Sequence, residues 1–457
     1  MGKYFGTDGF RGKVGVDLTA EHAYHIGRFL GERSSKAKGE QRARVLVGKD
    51  TRASGAMLEC ALVAGLCACG VDVYLLGVFT TPGVSYVVER GKFDAGVMIS
   101  ASHNLYYDNG IKLFSENGEK MDDATVALLE EYLDTCENLS GNATFSYATE
   151  RGVGNVYECR EGREWYIEHL ISVPRVSFRG FKIGLDCANG SAYQLALAVF
   201  QKLGADVSAM GVTPDGFNIN EKVGSTHIDT LAQRVKEEHL DFGFAFDGDG
   251  DRCLAVDAKG MVITGDHILY LLARRMQQEG RLYQNTVVTT VMSNLGLEKA
   301  LFDRGISCVS TQVGDRFVWE KMQECTYSLG GETSGHIILS DFAKTGDGIL
   351  TALYVTETLV STGKTLSEFR SLLPLYPQLT KNIRIPDNTH YEESQSMKNT
   401  IEKIRQRFGA GGRILVRKSG TEPVIRILVE ASDEDVCERA IDEVVCAIER
   451  EGFCADV

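Results

Sequence analysis

The sequence predicts an α/β protein of four domains: three related units with mixed or parallel sheets, then a smaller α+β domain. Three observations support this. The chain has 457 residues, too many for one core of about 100–200 residues. Short β-branched or aromatic runs, glycine-rich turns and amphipathic helices alternate in three rounds before residue 368. The remaining residues show a different order, with two strands that flank a polar loop.

The first round of alternation predicts an α/β domain over residues 1–153. Strands are predicted at 44–47, 71–76 and 94–100, and a helix at 57–69. β-branched runs bounded by glycine or polar turns are typical of strands. Helical periodicity between such runs indicates βαβ units, so the sheet is expected to be largely parallel and covered by helices.

The same pattern returns in a second domain, residues 154–254, and in a third, residues 255–368. In the second, strands are predicted at 181–187, 205–210 and 242–247, and helices at 192–203 and 229–239. In the third, helices are predicted at 266–278, 295–303 and 348–360, and strands at 286–292 and 307–313. The repetition therefore predicts three similar α/β domains.

The last stretch, residues 369–457, is predicted to be an α+β domain with a more antiparallel sheet. Pro374 and Pro377 mark a linker before it. The predicted elements are a strand at 379–385, a helix at 392–408, strands at 413–417 and 424–429, and a helix at 433–450.

Composition excludes several classes of partner. The 49 Lys and Arg residues are outnumbered by 63 Asp and Glu residues, which gives a net charge of −14. This balance argues against binding to nucleic acid or to an anionic membrane. The longest uncharged apolar run, residues 60–71, is shorter than the ~18–20 residues that span a bilayer. The 12 cysteines form no CxxC pair, so we expect reduced thiols in a cytoplasmic protein.

A serine-containing loop, SASHN at 100–104, follows the third predicted strand, and Lys112 lies shortly after it. A hydroxyl nucleophile beside cationic and amide donors suits group transfer from an anionic substrate. Short loops of this composition also cap ordinary turns. The loop alone leaves both interpretations open.

The acidic loop FDGDGDR at 246–252 is more specific. Its carboxylates alternate with glycines: Asp247, Asp249 and Asp251. Glycines allow a tight turn to bring the carboxylates together, and their mutual repulsion favours a divalent cation. An EF-hand is excluded because the sixth loop position is not glycine and the twelfth is not glutamate. Mg²⁺ is favoured over Ca²⁺, and a solvated acidic turn is the alternative.

Two more polar loops follow predicted strands. GGETSGH at 330–336 offers Glu332 and Ser334 to sugar hydroxyls, although on local grounds an ordinary turn is the simpler interpretation. RKSGTEP at 417–423, with Arg426 beyond it, combines small and hydroxyl residues with arginine. Backbone N–H groups and guanidinium forks in such a loop could cradle a phosphate, and a hairpin with exposed basic residues is the alternative.

Taken together, these loops resemble the α-D-phosphohexomutases, and most closely the bacterial phosphoglucosamine mutases. The matching stretches are FGTDGFRG at 5–12, SASHNLYYDNGIK at 100–112, DCANG at 186–190, NINEKVGSTH at 218–227, FDGDGDR at 246–252, VGDRF at 313–317, GGETSGH at 330–336, TGDG at 345–348 and RKSGTEP at 417–423. The resemblance covers essentially the whole chain. It implies four domains around a central cleft, the first three related.

The resemblance also implies roles for individual residues. Ser102 matches the serine that is phosphorylated in the active enzyme, its phosphate completing a site for one Mg²⁺. The other metal ligands would be Asp247, Asp249 and Asp251. Glu332 and Ser334 match the sugar-binding loop. The site for the non-reacting phosphate would comprise Arg417, Ser419, Gly420, Thr421 and Arg426. The basic residues near the phosphoserine, one of which transfers a proton, would be Arg11, His103 and Lys112.

The implied reaction interconverts glucosamine 6-phosphate and glucosamine 1-phosphate through a 1,6-bisphosphate, and it feeds UDP-N-acetylglucosamine and cell-wall synthesis. Glucosamine or glucose 1,6-bisphosphate would be the activator, and a homodimer stays open. Thr333 occupies a variable position of the sugar loop, so phosphomannomutase or phosphoglucomutase activity is the alternative. A sugar-phosphate phosphatase would use an aspartate nucleophile, and a non-catalytic paralogue would be expected to lose Ser102 or a metal-loop aspartate.

Overall fold

The structure is a computed structural model that describes residues 3–6, 8–38, 41–138, 147–386, 394–418 and 424–453. It divides into two compact units. One comprises residues 1–292 and 306–371, and the other comprises residues 293–305 and 372–457. Among the described residues, no helix combines the length and the apolar character needed to cross a bilayer.

The first sheet has seven strands in the order β1-β2-β6-β5-β3-β4-β7. The strands are β1 (Phe5–Gly6), β2 (Gly9–Lys13), β3 (Arg44–Lys49), β4 (Asp72–Val78), β5 (Ala95–Ile99), β6 (Asp108–Ser115) and β7 (Val156–Glu158). The helices are α1 (Ala20–Lys38), α2 (Gly55–Cys67), α3 (Thr81–Gly91) and α4 (Asp123–Asn138). Strands β3, β4 and β5 are parallel, as the sequence predicts. The sequence analysis did not predict β7, which adds a further parallel strand beside β4, or the antiparallel β6 and β2. The serine loop joins β5 to β6 and is too short for the crossover that a parallel pair requires.

The second sheet has five strands in the order β12-β11-β10-β8-β9. The strands are β8 (Lys182–Asp186), β9 (Asp206–Met210), β10 (Phe242–Phe246), β11 (Cys253–Asp257) and β12 (Val262–Ile263). The helices are α5 (Arg160–Ser172), α6 (Tyr193–Lys202) and α7 (Asp229–Glu237). Every residue of β10 is buried, which fixes this strand in the middle of the sheet. The acidic loop leaves β10 and returns as the antiparallel β11.

The third sheet has four strands in the order β14-β13-β15-β16. The strands are β13 (Thr286–Thr290), β14 (Ser307–Thr311), β15 (Leu329–Gly331) and β16 (Ile337–Leu339). The helices of the same unit are α8 (Gly265–Gln278), α10 (Asp315–Cys325), α11 (Gly348–Thr362) and α12 (Leu366–Ser371). The sugar loop joins β15 to the antiparallel β16. All three predicted loops of this unit therefore connect a buried strand to an antiparallel neighbour.

The second unit contains a three-stranded antiparallel sheet in the order β17-β19-β18. Its elements are α9 (Leu295–Phe302), β17 (Gln378–Arg384), α13 (Gln395–Phe408), β18 (Arg413–Lys418), β19 (Val424–Glu430) and α14 (Glu434–Arg450). The wholly buried Glu430 accepts a hydrogen bond from the Leu295 N–H at 3.0 Å and pairs with Arg413 at 2.8 Å. These contacts join the first turn of α9 to β18 and β19. The antiparallel α+β character agrees with the sequence, and the domain boundaries at 153, 254 and 368 stay predictions.

Candidate active site

Ser102 lies at the centre of the buried polar cluster between β5 and β10. Its side chain is wholly buried, and its φ of 51° is in the left-handed region. The Ser102 Oγ donates to Asp247 Oδ2 at 2.6 Å and lies 3.5 Å from His103 Nδ1. The backbone N–H of Ser102 donates to Ser100 Oγ at 2.9 Å. A non-glycine residue with this φ persists only where its surroundings hold it, and such residues concentrate at functional sites.

The acidic loop packs directly against the serine loop. A Cβ added to Gly248 would lie 2.5 Å from the carbonyl oxygen of Ser102, and Gly250 has a φ of +73°. The first glycine therefore permits the close approach of the two loops, and the second permits the turn. The contact brings Ser102 beside a carboxylate that is 145 residues away in the chain.

The three aspartates of the loop form a group that suits a divalent cation. All three are buried, and one oxygen of each lies within 4.8 Å of the others. Among the described residues, Asp249 Oδ1 and Asp251 Oδ1 have no hydrogen-bond partner. Burial, together with the charges of Asp251 and Asp249, raises the pKa of Asp247 well above its ordinary value. Mg²⁺ prefers carboxylate oxygens, and these closely spaced buried carboxylates include two oxygens without a donor, so the residues fit a metal site.

Lys112 supplies the nearest positive charge. Its Nζ lies 2.8 Å from Asp249 Oδ2, 3.1 Å from Asp251 Oδ2 and 3.0 Å from Asp8 Oδ2. Burial acts to lower the pKa of Lys112, but these three carboxylates outweigh it and hold that pKa well above the ordinary value. Lys112 therefore stays protonated and positively charged at neutral pH.

A chain of alternating charges continues from Lys112. Asp8 Oδ1 accepts from Lys120 Nζ at 2.7 Å, and Lys120 also pairs with Asp315. Asp8 pairs with Arg11 as well. Burial acts to raise the pKa of Asp8, but Lys112, Lys120 and Arg11 hold it well below its ordinary value. The structure thus links the N-terminal motif to the VGDRF motif through ion pairs.

His103 differs from the other two basic residues predicted near the serine. Burial and the nearby charges of Arg252 and Arg11 lower the pKa of His103 to about 4. At neutral pH the imidazole is therefore uncharged, while Arg11 and Lys112 carry the positive charge.

The predicted sugar-binding residues lie in the turn between β15 and β16. Glu332 Oε1 accepts from the Gly314 N–H at 3.2 Å, and Ser334 Oγ lies 3.5 Å from Glu332 Oε2. The charge of Glu332 also contributes to the raised pKa of Arg252, the last residue of the acidic loop. The sugar loop and the acidic loop are therefore electrostatically coupled.

The predicted phosphate loop belongs to the second unit. Arg417, in β18, lies directly opposite Arg426, in the antiparallel β19. Ser419, Gly420 and Thr421 lie outside the described residues.

Several residues that shape the site were not assigned a role from sequence. These residues are Asp8, Asp50, Arg52, Thr81, Lys120, Asn220 and Asp315. Thr81, the first residue of α3, donates its N–H to the Asp249 carbonyl at 2.9 Å and its hydroxyl to the carboxylate of Asp249. Asp50 and Arg52 directly follow β3, at the carboxyl end of one of the parallel strands of the first sheet. Ligand sites concentrate at that edge, and this was the signal available for Asp50 and Arg52.

Comparisons with known proteins agree with this architecture. Four domain families match the chain: Phosphoglucomutase/phosphomannomutase, alpha/beta/alpha domain I at residues 2–139, domain II at 164–260, domain III at 264–376 and the C-terminal domain at 381–447. A phosphoglucosamine mutase of Lachnospira eligens is 51% identical over 453 residues, covering 99% of this chain and 100% of that protein. A phosphoglucosamine mutase of Bacillus subtilis is 46% identical and covers 99% of each chain.

Solved structures show the same fold. A phosphoglucomutase/phosphomannomutase family protein from Burkholderia thailandensis matches with a TM-score of 0.80 and 24% identity, covering 100% of this chain and 99% of that one. An Aspergillus fumigatus N-acetylphosphoglucosamine mutase, solved in complex with GlcNAc-6P and magnesium, matches with a TM-score of 0.68 and 17% identity, covering 99% and 96%. The family predicted from the sequence motifs is thus confirmed, and the chain belongs to the phosphoglucomutase/phosphomannomutase family, the α-D-phosphohexomutases.

Proposed function

We propose that this protein interconverts glucosamine 6-phosphate and glucosamine 1-phosphate through a phosphorylated Ser102 and a 1,6-bisphosphate intermediate. The observation that carries the reaction class is the contact of the buried Ser102 Oγ with Asp247 at 2.6 Å, inside a triad of buried carboxylates. Full-length similarity to phosphoglucosamine mutases supports the choice of amino sugar. The enzyme is an isomerase, and its product would supply the synthesis of UDP-N-acetylglucosamine.

The phosphoryl group moves twice in each turnover. The free sugar hydroxyl attacks the phosphorus on Ser102, so a sugar O–P bond forms, the Oγ–P bond breaks, and the hydroxyl proton passes to a neighbouring base. The bisphosphate then turns, and Ser102 Oγ attacks its other phosphorus. A new Oγ–P bond forms, the second sugar O–P bond breaks, and the proton returns from the base to the departing sugar oxygen, which becomes the second hydroxyl. Because the two phosphates of the intermediate exchange places, the enzyme needs one site where a phosphoryl group is transferred and a second, remote site that binds the other phosphate.

The chain's own residues divide this work. Lys112 and Arg11 place fixed positive charge beside the transferring group, and such charge lowers the energy of a phosphoryl-transfer transition state. The uncharged His103 can accept the proton of the attacking hydroxyl. Lys112 and Arg11 stay protonated and can donate a proton to the leaving oxygen. Glu332 and Ser334 would position the sugar.

One Mg²⁺ per chain would be held by Asp247, Asp249, Asp251 and the phosphate on Ser102. When bound, the ion would neutralise charge on the phosphoryl oxygens. The buried unpartnered oxygens of Asp249 and Asp251 support this assignment.

The second unit would hold the phosphate that is not reacting, through Arg417, Arg426 and the loop of Ser419, Gly420 and Thr421. Glucose or glucosamine 1,6-bisphosphate would activate the enzyme by phosphorylating Ser102. A cytoplasmic location and a homodimer belong to the same proposal.

A coupled assay tests the substrate. We expect kcat/KM for glucosamine 1-phosphate to exceed the values for glucose 1-phosphate and mannose 1-phosphate, since the Glu332 carboxylate can meet the 2-ammonium group. All three sugars are measured with the same enzyme preparation, glucose 1,6-bisphosphate and Mg²⁺. A clear preference for mannose 1-phosphate would make the protein a phosphomannomutase, and the difference would be sought at Thr333.

A further inference from the structure

Arg52 lies buried beneath the serine loop, and both of its Nη groups donate hydrogen bonds to backbone carbonyl oxygens of that segment. Its Nη2 donates to the carbonyl oxygens of Ser102 at 2.9 Å and Asn104 at 2.8 Å. Its Nη1 donates to those of Leu105 at 2.5 Å and Asp108 at 3.1 Å. One side chain therefore fixes four peptide groups between β5 and β6.

Asp50 fixes the orientation of Arg52 and closes a circuit back to the nucleophile. Asp50 Oδ2 accepts from Arg52 Nε at 2.8 Å and from Ser100 Oγ at 2.6 Å. Ser100 Oγ in turn accepts from the Ser102 N–H at 2.9 Å. Both the N–H and the C=O of Ser102 are thus tied to the same buried ion pair.

Asn220 holds the serine loop from a second side. It belongs to the loop at 218–227, between β9 and α7, and its Nδ2 donates to the carbonyl oxygens of Ser102 and Asn104, both at 2.9 Å. These are the two oxygens that Arg52 Nη2 also contacts. Side chains from loops of two different sheets therefore converge on the carbonyl groups of Ser102 and Asn104, the residues on either side of His103.

We propose that Arg52 and Asn220 are positioning residues that hold Ser102 in its left-handed conformation, with Oγ directed at Asp247. This inference rests on the proposed function, because it assigns the cause of the nucleophile's placement. The planar guanidinium fork can serve four carbonyls at once, whereas a lysine ammonium cannot. Small displacements of a reacting group lower the rate of reaction while leaving remote substrate contacts intact.

The test compares Arg52→Lys with Arg44→Lys. Arg44 is a matched control because its Nη2 also donates to two backbone carbonyls, those of Gly91 at 3.0 Å and Lys92 at 2.6 Å. It lies in β3 of the same sheet, and these contacts do not involve the serine loop. The measurements are kcat and KM for glucosamine 1-phosphate, and the single-turnover rate at which saturating glucose 1,6-bisphosphate phosphorylates Ser102, followed by mass spectrometry.

For Arg52→Lys we expect kcat and the phosphorylation rate to fall about ten- to a hundredfold, with KM changed less than about threefold. Arg44→Lys should keep wild-type values. A wild-type phosphorylation rate in Arg52→Lys, or a rise in KM alone, would overturn the inference.

A second pair of variants keeps the test decisive if Arg52→Lys does not fold. Asn220 has a φ of 59° and the exposed Lys222 has a φ of 56°, so glycine relaxes the backbone at both positions. Asn220→Gly should lower kcat and the phosphorylation rate, whereas Lys222→Gly should not. Equal kcat in these two variants would refute the role of Asn220. If wild type itself showed no turnover of glucosamine 1-phosphate, the proposed function would be refuted. Failure of the proposed function is therefore distinguished from failure of the positioning role.

Discussion

Replacing Ser102 by alanine should abolish turnover while the protein stays folded. Alanine keeps the Cβ, so the strain of the left-handed φ is unchanged, and the backbone contacts of Ser102 with Ser100, Arg52 and Asn220 do not use the side chain. The loss is one hydrogen bond to Asp247, which is worth about 1–3 kcal/mol. A typical domain has a stability of about 5–15 kcal/mol. The substitution therefore removes the nucleophile without removing the fold.

The assay pairs activity with phosphorylation. Wild type and Ser102→Ala are incubated with glucose 1,6-bisphosphate and Mg²⁺, and intact masses and turnover are measured. Wild type should gain one phosphoryl group on Ser102, and the variant should gain none and show no turnover. Ser172→Ala, which truncates an exposed serine at the end of α5, is the control and should behave as wild type. Near-wild-type turnover in Ser102→Ala would refute the phosphoenzyme mechanism.

Three further predictions concern the metal, the remote phosphate and a buried acid. Asp249→Asn should raise the activation barrier by several kcal/mol, which lowers kcat, while changing KM little. Full activity of wild type treated with EDTA would contradict the metal site. Arg417→Ala should lower kcat/KM about ten- to a hundredfold, equivalent to about 1.5–3 kcal/mol, and should release glucosamine 1,6-bisphosphate, so that added bisphosphate restores activity. A rise in KM alone, without release, would make Arg417 an ordinary binding residue. Burial raises the pKa of Asp347 to about 6 from an ordinary 3.8, so the native state binds this proton more tightly than the unfolded state, and the group's contribution to stability falls as pH rises from about 4 to 6. Asp347 caps α11, because its Oδ1 accepts from the Leu350 N–H at 2.9 Å. Asp347→Asn keeps this acceptor and should remove about 3 kcal/mol of the pH dependence, measured by urea unfolding near pH 4 and pH 7. An unchanged difference between the two pH values would refute that role.

The fold class and most helices and strands follow from the sequence because their signals are local. The alternation of β-branched runs and amphipathic helices predicts the parallel strands β3, β4, β8, β9, β10, β13 and β14, and all form. The antiparallel strands β2, β6, β11 and β16 were not predicted at all. Their direction depends on which strand each one pairs with, and pairing is a property of the assembled sheet.

The site divides in the same way. The acidic triad could be predicted from sequence, because glycines between three aspartates allow one tight turn to bring the carboxylates together. It also marked the serine loop and the sugar loop. Three contacts could be seen only in the folded protein: Ser102 with Asp247, Lys112 between Asp249 and Asp8, and Arg52 beneath Ser102. These contacts join residues that are about 50 to 145 positions apart, and nothing in either local segment specifies its partner. Packing within the first domain fixes the contacts of Arg52 and of Lys112 with Asp8, and packing of the second sheet's acidic loop on the serine loop fixes the contacts with Asp247 and Asp249. Buried polar groups must find their hydrogen-bond partners where the fold places them.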